Sequence, residues 1–147
     1  MTMAGRTSLN TAVPEAYAST LALSEQTERA ALAAGVDGST LELVRLRVSQ
    51  LNGCGYCLRM HARDAIAKGE TTDRIAVLPA WRETAYFSPA ERAALAIAEE
   101  ITHIGTTVAG ADDDALTKDQ AAAIRWVAIV INSFNRIAIS SHYVVKP

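Results

Sequence analysis

Helix start and stop signals recur along this chain, and no stretch between them alternates apolar and polar residues for long enough to make a strand. The clearest start is Ser88-Pro89-Ala90-Glu91: a cap residue, Pro at the first helical position, and Glu three residues past the cap. The helix it opens runs to about Thr102. Thr117-Lys118-Asp119-Gln120 opens another to about Ser140. Pro14 opens a segment to about Ala34, stopped by Gly35 and the Asp37-Gly38 pair. Ser39 reads as an N-cap with Glu42 completing a capping box, and Leu41, Val44, Val48 and Leu51 follow at core spacing. Asn52-Gly53 is a turn, after which a helix spans Cys54 to Lys68 with Gly69 as its stop. Thr71-Thr72-Asp73 caps a short helix ending before Pro79. The polar, acidic connection from Gly105 to Asp114 is expected to be the most mobile part. Ala121 to Ile131 is apolar nearly all round and is expected to be the buried helix.

The expected fold is therefore all-α: a single-domain bundle of about six helices over residues 1–147, with the cysteine pair at a helix N-terminus. Half of the residues are hydrophobic but only 5% are aromatic, so the apolar share is mostly Ala, Leu, Ile and Val, which suits packed helices. A net charge of −2 lacks the basic footprint of a nucleic-acid binder. The longest strongly apolar run, Trp126 to Ile131, is six residues, so no membrane span is expected. Met1 to Val13 has one Arg and no apolar core, so it does not read as a signal peptide. The expected compartment is cytoplasmic, where paired thiols are usually reduced, metal-bound or catalytic.

Two cysteines are present, in the run Cys54-Gly55-Tyr56-Cys57-Leu58-Arg59-Met60-His61. On a helix advancing ~100° per residue, Cys54, Cys57 and His61 fall within ~60° of arc and form one stripe. Both cysteines lie at or near the first turn, where the helix dipole and free N–H groups favour thiolate over thiol. If the chain reverses at Asn52-Gly53, residue 42 pairs with residue 61, and Glu42 faces His61 across the hairpin. A carboxylate on an imidazole fixes its tautomer and raises its basicity, giving a relay from Glu42 through His61 to the cysteine pair. A continuous helix would instead leave Glu42 and Cys54 ~18 Å apart.

Blander readings stand beside this one. Cys54, Cys57 and His61 supply three zinc ligands where a structural site wants four, and His103 and His142 stand alone. Covalent haem needs His directly after Cys57, where Leu58 stands. A thioredoxin-like motif needs a βαβ context. The cysteines could be inert core residues, and the capping box alone would explain Glu42. His103 suits a helix C-terminus and His142 a tail. Arg45 and Ser49 share a stripe with Glu42, with Ser49 expected to bond backbone or solvent. Asn132, Asn135 and Arg136 interrupt an apolar helix and need partners on a neighbouring helix or subunit. Tyr17 and Trp81 read as packing residues.

The run from Leu41 to Cys57, followed by Met60-His61, resembles the core of the alkylhydroperoxidase D family, within the carboxymuconolactone decarboxylase-like superfamily. Leu78 to Thr84, the Ser88 to Thr102 helix and Ile131 to Arg136 resemble it too, so the likeness covers about residues 12–140. Tyr56 stands where the best-described pattern of that family has His. The resemblance implies an all-helical homo-oligomer, a trimer or hexamer, with thiol-dependent peroxidase activity. It puts the peroxide-attacking, sulfenic-acid-forming thiol on Cys57. It makes Cys54 proton donor and then resolving partner in a Cys54–Cys57 disulfide, and Glu42 and His61 the proton relay.

The function expected is reduction of hydroperoxides without metal, flavin or nucleotide, since no motif for any of these is present. Electrons would then come from a protein or small thiol, and the resemblance points to a thioredoxin-like or lipoyl-bearing donor. Dithiol–disulfide exchange without peroxide turnover is an alternative. A carboxymuconolactone decarboxylase-like reaction is another, although it does not need the cysteines. The last is a helical assembly module with incidental thiols.

Overall fold

The described residues form seven α-helices and no strand. The helices are α1 (Leu9–Ala12), α2 (Pro14–Ala33), α3 (Gly38–Asn52), α4 (Gly55–Ala67), α5 (Thr72–Val77), α6 (Pro89–Thr102) and α7 (Lys118–Ser140). Short 3-10 turns at Leu78–Glu83 and Asp113–Ala115 precede α6 and α7. This computed structural model describes residue 5, residues 7–106 and residues 113–147. Most of the connection expected to be mobile thus lies outside the described residues.

The caps explain the boundaries. Ser88 and Thr117 each accept from the backbone N–H three residues on, while Glu91 and Gln120 reach back to the cap N–H, so both capping boxes are complete. Thr71 caps α5 in the same way through its hydroxyl. The box expected at Ser39 is absent. α3 begins at Gly38 with Asp37 as its N-cap, and Glu42 turns its side chain elsewhere. Two partners competed for that carboxylate, and cationic ones outbid a backbone N–H.

The centre of the molecule is α3, packed on α4, α6 and α7. One of its faces puts Leu41, Val44 and Val48 into a core shared with Ile97, Ile124, Val127 and both cysteines. The other puts Leu43 and Leu46 into a second cluster with Leu78, Trp81, Phe87 and Leu95. Fully burying each such Leu is worth roughly 2 kcal/mol, so α3 is the helix the fold is assembled around. This corrects the expectation for α7, whose apolar run is only partly covered: Trp126 and Ile129 remain 51% and 41% exposed. By length and composition α7 could cross a membrane, but it packs against α2, α3 and α6, with 44% of its most apolar stretch buried there.

Candidate active site

The site begins at the reversal between α3 and α4. Gly53 takes a left-handed conformation at φ +69°, which a residue without Cβ adopts freely. Its N–H bonds to Gln50 O, and Cys54 N–H bonds to Ser49 O, closing both ends of a Schellman turn. The chain leaves this turn with Cys54 in extended geometry as the N-cap of α4. The Cys54 Sγ accepts from the Cys57 N–H at 3.4 Å, a thiol in a place usually held by Ser, Thr or Asp. Both thiols are free and almost fully buried, at 1% and 2% exposure.

The hairpin brings His61 onto Glu42. His61 Nδ1 lies 2.9 Å from Glu42 Oε2. The other carboxylate oxygen accepts from Arg45 Nη1 at 2.8 Å and from Lys68 Nζ, and Arg45 continues to Glu28 at 2.9 Å. Burial pushes the Glu42 carboxyl up, but the His61 hydrogen bond, the Arg45 charge and Lys68 together bring it down to about 2. Glu42 is therefore a carboxylate at neutral pH. His61 donates to it from Nδ1, and its Nε2 has no protein partner among the described residues.

Cys57 and this pair share a cavity of about 480 Å³, and Cys54 is not part of its wall. Glu28, Arg45, Asp64 and Lys68 make its charged side; Tyr17, Leu21, Val130 and Phe134 belong to its apolar and aromatic lining. No hydrogen bond joins His61 to either thiol among the described residues, so proton transfer between them requires a bridging molecule in the cavity. The expectation of a lowered Cys57 pKa is not met in this conformation. Burial, reinforced by the Cys54 side chain, pushes Cys57 up to about 12, against an opposing hydrogen bond from Asn135. The helix terminus is worth ~1 kcal/mol for an anion, less than the loss of water around a buried one.

Asn135 was not legible as a neighbour of Cys57. It is fully buried on α7, donates to Ser49 Oγ at 3.0 Å and accepts from Asn52 Nδ2 at 2.9 Å. Asn132 accepts from the same Asn52 amide and donates to Thr102, and Arg136 donates back to Asn132. The expected partners of these residues are thus within the chain, and Ser49 bonds a side chain, not backbone or solvent. The only sequence signal was polar residues interrupting an apolar helix. Lys68 and Tyr143 also line the cavity without having been singled out.

Of the other candidates, His103, His142 and Trp81 are not part of the cavity wall, whereas Tyr17 is. His103 is the exposed C-cap of α6, and His142 is exposed just after α7. Trp81 packs in the second core cluster and donates to the buried Glu99 at 2.9 Å. Tyr17 packs edge-on to Phe134 and contributes to the cavity wall. Among the described residues, the groups that converge closely enough to share an ion are Glu42, His61 and Asp64, without either cysteine. Arg45 and Lys68 already neutralise Glu42, so this set does not fit a divalent cation.

Residues 14–100, which contain Glu42, both cysteines and His61, match the model of the carboxymuconolactone decarboxylase family. The chain belongs to that family. It is 40% identical to the uncharacterized protein YdfG of Bacillus subtilis, over 71% of this chain and 75% of that protein. In three dimensions it superposes with a TM-score of 0.81 on a crystal structure from Agrobacterium tumefaciens, at 29% identity over 97% of this chain and 99% of that one. That protein is of unknown function and has been suggested to be an antioxidant defence protein, AhpD. Within the carboxymuconolactone decarboxylase family the chain is thus alkylhydroperoxidase D-like, in agreement with the sequence resemblance.

Proposed function

We propose that the protein is a thiol peroxidase that reduces hydroperoxides through Cys57. The observation that carries this reading is that Cys57 and the Glu42–His61 pair share one cavity, with Cys54 in contact behind Cys57. A hydroperoxide entering the cavity meets Cys57. His61 Nε2, through a water or the peroxide itself, accepts the thiol proton, and Glu42 stabilises the imidazolium that results. The Cys57 sulfur attacks the terminal oxygen, the O–O bond breaks, and the departing alkoxide takes a proton to leave as alcohol. Cys57 is then sulfenic acid. Cys54 condenses with it, releasing water and forming the Cys54–Cys57 disulfide, which a thioredoxin-like or lipoyl-bearing dithiol reduces. Burial holds the Cys57 thiol above its ordinary pKa, and in this reading the relay serves to take its proton.

The shared cavity favours this reading over exchange with a protein disulfide, since it brings a small peroxide to Cys57 and to the Glu42–His61 pair together. A homo-oligomer, trimer or hexamer, is part of the same proposal: Trp126 and Ile129 form an exposed apolar stripe on α7 that a second copy would cover. A reducing cytoplasm would supply the dithiol.

The test is titration of reduced protein with cumene hydroperoxide, followed by thiol counting and intact mass. Loss of both thiols at about one equivalent, with a trapped sulfenic acid only in Cys54→Ser, supports the mechanism and the cysteine order. Unreacted thiols at excess peroxide would sink it.

A further inference from the structure

A second cavity adjoins the one at Cys57. It measures about 230 Å³ and is lined by Leu9, Val13, Ala16, Tyr17, Thr20 and Ile137. Tyr17 and Ile137 also line the first cavity, so these two residues are the wall common to both. Helices α2 and α7 pack against each other and contribute to both cavities. On α7, Val130, Phe134 and Ile137 follow one another at helical spacing and lead from the first cavity to the second. From Val127, which lines the first, to Ile137 the helix advances ~15 Å.

The two cavities differ in chemistry. The first has a charged side at Glu28, Arg45, Asp64 and Lys68. No charged residue lines the second. Its one aliphatic hydroxyl, on Thr20, already donates to Ala16 O at 2.9 Å within α2. Leu9 and Val13 stay exposed there although they are apolar. Tyr17 stands between the two, half-buried, with its ring edge-on to Phe134. A ligand that fills both cavities is therefore polar at one end, beside Cys57 and His61, and apolar along the rest of its length.

We propose that the second cavity is a subsite for the apolar tail of the substrate, which makes a hydroperoxide on an extended alkyl chain the preferred one. The peroxide end sits at Cys57, and the chain runs along α7 past Tyr17 to Val13 and Ala16. Two observations argue for this occupant: the subsite is continuous with the reactive cavity, and its wall offers apolar contact but no charge. Covering Leu9 and Val13 removes apolar surface from water, so binding strengthens with chain length. Tyr17 is then the residue that the chain must pass.

This inference rests on the peroxidase reading, and its test separates the two. Primary butyl and decyl hydroperoxides are compared on the full-length wild type, Ala16→Trp and Val13→Glu. Both positions are exposed and line the second cavity but not the first, so the variants should fold. Each buried methylene is worth about 4-fold in affinity, so the decyl-to-butyl ratio of kcat/KM should exceed about 10 in wild type and fall at least about 5-fold in both variants. Calorimetric binding of 1-decanol and 1-butanol should show the same loss of chain-length preference with no peroxide chemistry involved. Equal ratios in all three proteins, for hydroperoxides and alcohols alike, would overturn the proposal and leave the second cavity to a protein contact such as a second copy. A wild type that prefers 1-decanol, loses that preference in Ala16→Trp and leaves both hydroperoxides intact would end the peroxidase reading and keep the alkyl-chain site. Ala16→Trp, which fills the cavity, is decisive; if circular dichroism shows it unfolded, Val13→Glu decides, and an unchanged ratio there overturns the proposal.

Discussion

His61 Nδ1 and Glu42 Oε2 stand 2.9 Å apart across a hairpin, 19 positions apart in the chain. This contact fixes which imidazole nitrogen faces the cavity, and Arg45 and Lys68 hold the carboxylate that fixes it. Charge on Glu42 is therefore coupled both to the fold and to the orientation of His61.

Acid should expose that coupling. The folded-state pKa of Glu42 is about 2, below its ordinary 4.5. A depressed carboxylate gives stability that is fully present above the unfolded value and is lost as pH falls through the folded one. Glu42 should thus contribute up to about 3 kcal/mol near neutrality, fading between pH 4.5 and about 2. Urea melts of wild type and Glu42→Gln across that range check it. The gap between the two should narrow as pH falls, and a constant gap would contradict it.

The sequence already held this pair, because every step to it is local. Asn52-Gly53 marks the reversal, and the count of residues on either side does the rest. The helix starts at Ser88 and Thr117 were legible for the same reason: a cap and its reciprocal partner lie three residues apart. What stayed hidden was non-local. Nothing near Cys57 announces Asn135, which reaches it only because α7 packs along α3. The helix-terminus effect on Cys57 could be read from position, but the burial that overrides it could not. Glu42 itself was ambiguous, since its spacing from Ser39 and its distance from the turn suited two different partners.

Cys57 should behave as a reluctant thiol until something is bound in the cavity. Pushed up to about 12, it should react slowly with iodoacetamide at pH 7, with a rate still climbing past pH 9 and no plateau near the usual ~8.5. Cys54→Ala removes a neighbour that raises this pKa, so the alkylation profile should move to lower pH. It also removes the cap of α4, at a cost of ~1 kcal/mol that Cys54→Ser should largely restore. An unshifted profile in Cys54→Ala would show that burial alone sets the Cys57 thiol.

Asn135 should matter to both stability and reactivity. Replacing it with Ala strips buried Ser49 of its donor and leaves the Asn52 amide with one acceptor fewer. Such a loss costs ~2 kcal/mol or more. The same change removes the hydrogen bond that opposes the upward shift of Cys57, so alkylation at fixed pH should slow further. Thermal melting and iodoacetamide kinetics on one preparation read both effects. A destabilised variant with unchanged kinetics would confine Asn135 to a structural role.

The exposed stripe on α7 makes the last prediction. Trp126 and Ile129 are a turn apart on a helix whose other face is deep in the core, and both keep about half their surface in solvent. A monomer gains nothing from apolar residues there, whereas a second copy could bury them. Sedimentation velocity should therefore show wild type as an oligomer, and Trp126→Glu should shift it toward monomer. Because Trp126 is exposed in the isolated chain, the substitution should leave the helical circular dichroism intact. A wild-type chain that sediments as a monomer at tens of micromolar would refute the assembly. A Trp126→Glu oligomer of unchanged size would move the interface to another face.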